Sequence, residues 1–211
     1  MKRVKMNAPY FFNLIPQISM FDPLAEVLGA AENGMLEYSY QDVVKLAGHS
    51  CPTVAGAFLM TRSGLKSLYA EEIPVRGEIK VLMKGKLGDG VVGVIANVAS
   101  MITGATEKGG FHGLGGKFDR RDLVCFEADI ESEMALERTD TNERVLLDYD
   151  PSCVEADPRM GALLPHILSK KADEDERNLF GTLWQERVRK IMIDHCDDER
   201  LIRCRKVVGE K

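Results

Sequence analysis

Gly48-His49-Ser50-Cys51-Pro52-Thr53-Val54-Ala55-Gly56-Ala57-Phe58 is the stretch on which the reading of this chain turns. Pro52 suits a first helical position, because the N–H that proline lacks would have no intrahelical partner there. Val54, Phe58, Leu65, Leu68 and Tyr69 recur at close to helical spacing, which predicts a helix from Cys51 to about Tyr69. Ala55, Gly56 and Ala57 are small enough to let another backbone approach. Cys51 falls at or near the N-cap, and His49 falls on the turn just outside it.

An imidazole and a thiol two residues apart are both ligands of borderline or soft metals. A thiol at a helix N-terminus also meets the positive end of the macrodipole, which favours thiolate. The local chemistry is therefore a metal site, a reactive cysteine, or both. The plainer alternative is structural: a free cysteine commonly serves as a small buried hydrophobe. A single His-x-Cys pair also supplies only two ligands where zinc takes three or four. Further ligands must come from elsewhere in the fold or from a second chain.

Outward from that helix, residues 22–31 read as a short helix starting near Asp22-Pro23. Residues 39–47 read as another, with Ser39 and Asp42 spaced as in a capping box. Residues 78–83 alternate as a strand does, and a glycine-rich turn comes next at 85–90. Residues 91–102 are strongly apolar, with Gly93, Ala96 and Ala99 on a helical repeat, and predict a buried helix too short to span a membrane. Residues 123–128 and 144–149 read as strands that pair as a hairpin or as near neighbours. Cys125 is expected to face the core.

Composition shifts near residue 150, where Pro151 and Pro158 punctuate a loop. Residues 161–169 predict a short helix interrupted at Pro165. Residues 174–195 predict a charged amphipathic helix with Phe180, Trp184, Val188, Ile191 and Met192 on its apolar stripe, and 196–211 form a tail. The expected fold is α+β: helices packed on a small sheet of mainly antiparallel type. Residues 1–150 form the core domain and residues 151–211 a helical C-terminal extension.

Composition narrows the function. The 211 residues are 45% hydrophobic and 29% charged, ordinary for a globular chain. A formal charge of −5 argues against nucleic acid, which favours basic faces. No apolar run is long enough for a membrane span. The N-terminus is basic, but Asn7, Pro9, Asn13 and Pro16 break the segment after it, so no signal peptide is expected. Five scattered cysteines without a Cys-x-x-Cys pair point to a reduced, cytoplasmic protein.

Gly110-Phe111-His112-Gly113-Leu114-Gly115-Gly116-Lys117 invites comparison with a phosphate-binding loop. A Walker loop ending at Gly116-Lys117 needs glycine where Phe111 stands and Ser or Thr where Phe118 stands. A dinucleotide fingerprint needs a preceding strand, and the preceding segment reads as helix. Two readings remain: a tight connection into a strand, or a backbone platform that carries His112 towards a site.

Taken together, these stretches resemble the formylmethanofuran dehydrogenase E-subunit family. Gly48-His49-Ser50-Cys51-Pro52, opening an apolar helix with small residues, is similar to that family's Gly-His-x-Cys-Pro-Gly signature, with Thr53 in place of the last glycine. Thr103-Gly104-Ala105-Thr106-Glu107-Lys108-Gly109 is similar to its Thr-Gly-Cys-Thr stretch and Gly-Lys-Gly turn. Ala105 replaces the family cysteine. The segment 88–93 offers Asp89 where the family carries an Asn-Asp-x-Cys-Gly element. Residues 150–211 hold no cysteine pair for the zinc ribbon that some members append. The resemblance spans roughly residues 40–130. It implies an α+β core in an intertwined homodimer that can hold a metal such as zinc, with the family's His and Cys carried over to His49 and Cys51. It implies little about a reaction.

Three functions compete. The first is a metal-binding protein with zinc or another transition metal on His49 and Cys51. His112 is the candidate third ligand and Asp89 a lesser one, and any open position would admit a small-molecule ligand or Lewis-acid chemistry. The second is a haem or iron protein, since thiolate and imidazole are both axial haem ligands and the apolar 91–102 helix could wall a flat cofactor. The third is a non-enzymatic assembly or regulatory subunit, whose 174–195 helix has the stripe to dock on a partner or on its own core, docking on its own dimer being the plainer reading.

Overall fold

Local capping signals set the helices of the computed structural model, which describes residues 8–207. The basic stretch 1–5 and the last residues of the tail, 208–211, lie outside the described residues. After a 3-10 turn at Tyr10–Leu14, β1 (Ile18–Phe21) pairs antiparallel with β2 (Met35–Tyr38). Between them Asp22 caps α1 (Pro23–Val27) by accepting from the N–H groups of Leu24 and Ala25. This helix is shorter than the expected 22–31, because the chain turns at Gly29 with φ +64°.

α2 (Tyr40–Ala47) starts with the reciprocal capping box of Ser39 and Asp42 and stops at Gly48 in the left-handed conformation. α3 (Pro52–Tyr69) has Cys51 as its N-cap and Pro52 in its first turn. Twelve of its 18 residues are buried, so it forms the central pillar of the core. Gly64 is where α3 comes closest to the sheet: a Cβ there would lie 2.7 Å from a methyl of Leu136 and 2.9 Å from one of Leu147.

The chain continues through β3 (Ile79–Met83), α4 (Val92–Thr103), the hairpin strands β4 (His112–Leu114) and β5 (Lys117–Asp119), β6 (Val124–Cys125), β7 (Met134–Arg138) and β8 (Arg144–Tyr149). α5 (Arg159–Leu168), α6 (Glu174–Arg189), a π-helical turn at Lys190–Asp194 and β9 (Ile202–Val207) complete the described chain. The five-stranded sheet runs β6-β3-β7-β8-β9, antiparallel except for the β3–β6 pair. The architecture is α+β. α3 packs on β7, β8 and β9, and α4 on β3 and α3. Pro165 lies inside α5 without ending it. α6 lays Val188 into the core, with Ile191 and Met192 of the π turn beyond it, all fully buried.

Three expectations change. The strand at 123–128 shrinks to two residues and lies parallel to β3, separated from β8 by β3 and β7, so the two do not pair. Cys125 sits opposite Leu82, on the face away from the core-facing Val81 and Met83, and is half-buried. The tail returns to the sheet: β9 pairs along its whole length with β8. The apolar 91–102 segment is helical as expected, and its Ile95, Val98, Ala99 and Ile102 are committed to the core. No described helix is long and apolar enough to cross a membrane.

The N-terminal half is tied together by a buried ion cluster. The Asp22 carboxylate accepts from Arg76 Nη1 at 2.8 Å and Arg120 Nη2 at 2.7 Å. Arg76 also donates to the carbonyls of Met101 and Ile102 in the last turn of α4. Burial works to raise the Asp22 pKa, but the Arg76 hydrogen bond, the cap N–H and the two guanidinium charges outweigh it and hold the carboxyl below its ordinary value.

Asp22→Ala leaves two guanidiniums without their shared carboxylate, so urea unfolding is expected to show a loss of about 3–5 kcal/mol. The pH dependence has a fixed sign. A carboxyl whose folded pKa is depressed adds stability above its unfolded pKa and loses it as pH falls through the folded value. Wild-type stability should therefore decline on acidification below about pH 4, and Asp22→Asn should flatten that part of the profile. An unchanged acid slope in Asp22→Asn would assign the decline to other carboxylates.

Candidate functional site

The turn from α2 into α3 presents the two sequence-predicted donors differently. Gly48, at φ 76°, reverses the chain and its N–H bonds back to the Val44 carbonyl. His49 comes next on the surface, exposed, with Nδ1 2.9 Å from the Ala47 carbonyl. A carbonyl can only accept, so Nδ1 carries the proton of the neutral ring and Nε2 keeps its lone pair. That is the arrangement by which a backbone carbonyl orients a metal-binding imidazole.

Cys51 is buried at the N-cap, in extended conformation. Its Sγ accepts from the Val54 N–H at 3.5 Å, and its carbonyl begins the helical ladder at Ala55. The sulfur thus lies at the positive end of an 18-residue helix.

Ser50, between them, is the mechanical hub. Its hydroxyl donates to Gln185 Oε1 at 3.0 Å. A hydroxyl has one proton, so at the 3.0 Å contact with Tyr40 the phenol is the donor. The Ser50 carbonyl accepts from Trp184 Nε1 at 2.9 Å and Gln185 Nε2 at 3.2 Å. Two residues along the chain, the Tyr149 hydroxyl donates to the Pro52 carbonyl at 2.8 Å. The His-x-Cys turn is therefore clamped by α6 on one side and by the end of β8 on the other. Burial pushes both phenols, Tyr40 and Tyr149, well above the ordinary tyrosine range, and the neighbouring Cys51 adds to the shift in each. Both stay protonated donors at neutral pH.

The other predicted ligands lie apart from this turn. His112 is exposed on β4, in register with Asp119 of β5, and Gly115 and Gly116 form the positive-φ turn between these strands. The glycine-rich stretch is thus a two-stranded hairpin of its own, outside the main sheet. Asp89 is exposed and its Oδ2 closes a turn by accepting from the Lys86 N–H. Among the described residues, no three of His, Cys, Asp and Glu come together as a metal-binding group, so His112 does not join His49 and Cys51 within one chain. The remaining histidines have ordinary explanations: His166 meets Glu176 on the surface, and His195 meets Asp198. All five cysteines are free thiols.

The clamp is not legible in the sequence. Trp184 stands out there as part of an apolar stripe, but its indole N–H and the neighbouring Gln185 give no local sign that they hold a turn 134 and 135 residues earlier. Tyr40 and Tyr149 are equally silent. No protein-family model matches this chain, and no curated protein matches it either.

Proposed function

We propose that this chain is a metal-binding protein of the kind its sequence resembles, the formylmethanofuran dehydrogenase E-subunit family, with a transition metal held by His49 Nε2 and Cys51 Sγ. The observation that carries this reading is the 2.9 Å contact from His49 Nδ1 to the Ala47 carbonyl, which leaves an exposed imidazole with its Nε2 lone pair free, two residues from a thiol at a helix N-terminus. A nitrogen and a sulfur donor suit zinc, which carries no geometric preference of its own.

Two donors fit a metal whose other positions are filled from outside this chain. A homodimer, as the resemblance implies, would bring a second set, and His112 is available for it because its ring is exposed on the hairpin. A small-molecule ligand or water would fill any place left over, and there the metal would supply Lewis-acid chemistry. The chain's own part is to orient the imidazole through Ala47, present the thiol at the N-terminus of α3, and keep the turn rigid through Ser50.

The test is metal content and the visible spectrum of protein prepared without chelator. Bound metal in the wild type, lost in His49→Ala and Cys51→Ala, is expected, with no Soret band. A Soret band would replace this reading by haem, and protein free of metal and chromophore would overturn both. Cys51→Ser separates binding from folding. Serine is a favoured N-cap, so the variant, compared with the wild type after both are stripped of metal, should keep its stability to within about 1 kcal/mol while failing to take the metal up.

A further inference from the structure

Residues 155–187, the α5–α6 hairpin with its approach, share little apolar surface with the rest of the chain. Met160 and Ala172 are the buried residues of this stretch, and neither belongs to the main core. Of its side chains only Trp184, itself half-buried, packs against that core. α5 and α6 pack on each other instead. Commitment to the core begins at the next residue, with Val188 and then Ile191 and Met192.

The fastening of the hairpin is polar. Apart from the helical ladder that continues into the π turn, its hydrogen bonds to the rest of the described chain fall in two places. Arg187 Nε and Nη2 donate to the carbonyls of Val154 and Pro151, which closes the base of the hairpin. Trp184 Nε1 and Gln185 Nε2 donate to the Ser50 carbonyl, and the Ser50 hydroxyl donates to Gln185 Oε1. The second set alone reaches a distant part of the chain, and that part is the His-x-Cys turn. An element with few buried apolar contacts opens at a lower free energy than the core it lies on. Residues 155–187 can therefore open while Val188, Ile191 and Met192 stay seated. Cys51 follows Ser50 directly and is buried while the clamp is closed.

We propose that the α5–α6 hairpin gates the Cys51 thiol. With Trp184 and Gln185 on Ser50 the thiol is covered, and local opening of residues 155–187 releases the turn and admits solvent or a reagent to the sulfur. The gate is the same whether a metal or an electrophile meets the thiol, so it stands or falls apart from the metal reading.

Two measurements on the full chain test it, both with chelator present so that no metal shields the sulfur. Hydrogen exchange of the wild type, resolved by peptide, should show α5 and α6 amides about tenfold or more less protected than α3 amides. Alkylation by iodoacetamide, followed cysteine by cysteine in mass spectrometry, should be slow at Cys51 in the wild type. In Trp184→Phe/Gln185→Leu it should be about tenfold or more faster there, with the rate unchanged at Cys204, whose thiol donates to the Ser63 carbonyl away from the clamp. Equal protection of α3, α5 and α6 would overturn the proposal. So would an unchanged Cys51 rate in the variant, which would assign the cover to another element, or a matching rise at Cys204, which would mark global loosening in place of a gate.

Discussion

The charge balance at Asp22 is the constraint on which the N-terminal half depends. A single carboxylate caps α1 and receives two guanidiniums from distant parts of the chain: Arg76, just before β3, and Arg120, just after β5. Arg76 extends the link to the last carbonyls of α4, groups that a helix end leaves without partners. The cluster thus joins the β1–β2 hairpin, the entry to β3, the end of α4 and the exit from the β4–β5 hairpin. It holds one more positive charge than negative, and the surplus lies at the negative end of the α4 dipole, which offsets part of it. Space for it is made by omission. A Cβ on Gly77 would overlap the Arg120 guanidinium, and one on Gly104 would lie 2.9 Å from Arg120 Nη1; both glycines also stand at positive φ. Arg120 Nη1 is buried without a partner among the described residues, so the fold tolerates one unmet donor to keep this junction.

The elements legible in the sequence are those whose ends carry their own chemistry. α2 and α3 are readable because Ser39, Asp42, Gly48 and Pro52 each do a local job that local spacing reveals. β7 is not. Met134, Ala135, Leu136, Glu137 and Arg138 are good helix formers, and they are extended because β3 and β8 flank them on both sides and bury Met134, Ala135 and Leu136 completely. Without β7 in view, the strands at 124 and 144 look like neighbours. β9 is readable in principle: Ile202 and Cys204 alternate with Arg203 and Arg205, a half-buried strand pattern. The charged helix before it masks that signal, because it suggests that the core is already closed.

The site is legible to the same degree, and for the same reason. Pro52 places Cys51 at the cap, and the structure puts it there. Ser50 gives no sign of its role, because a hub is defined by its partners, and those come from α6 and α2. The clamp changes the meaning of the C-terminal region. α5 and α6 do more than extend the core: Trp184 and Gln185 fix the backbone between the two candidate donors, so the geometry of the His-x-Cys turn is set by a segment distant in sequence.

The described helices start in different ways: α4 begins at Val91 and α5 at Pro158 without a side-chain cap. α2 and α6 begin with Ser39 and Asp173, oxygen caps inside complete capping boxes. α3 is the longest and most buried helix, yet it begins with a sulfur that accepts weakly from its N–H at 3.5 Å. Serine there would be a favoured cap of similar size. Burial holds such a helix without a strong cap, as it does α4, which is also committed to the core and begins at Val91 with no side-chain cap. A thiol serves metal ligation or nucleophilic chemistry in ways a hydroxyl at neutral pH does not, and the same turn displays an imidazole with its Nε2 lone pair unused. Burial in the core accounts for a thiol in place of a hydroxyl at Cys51, and the Ala47 carbonyl accounts for the orientation of the His49 ring; the proposed metal would use both groups at once.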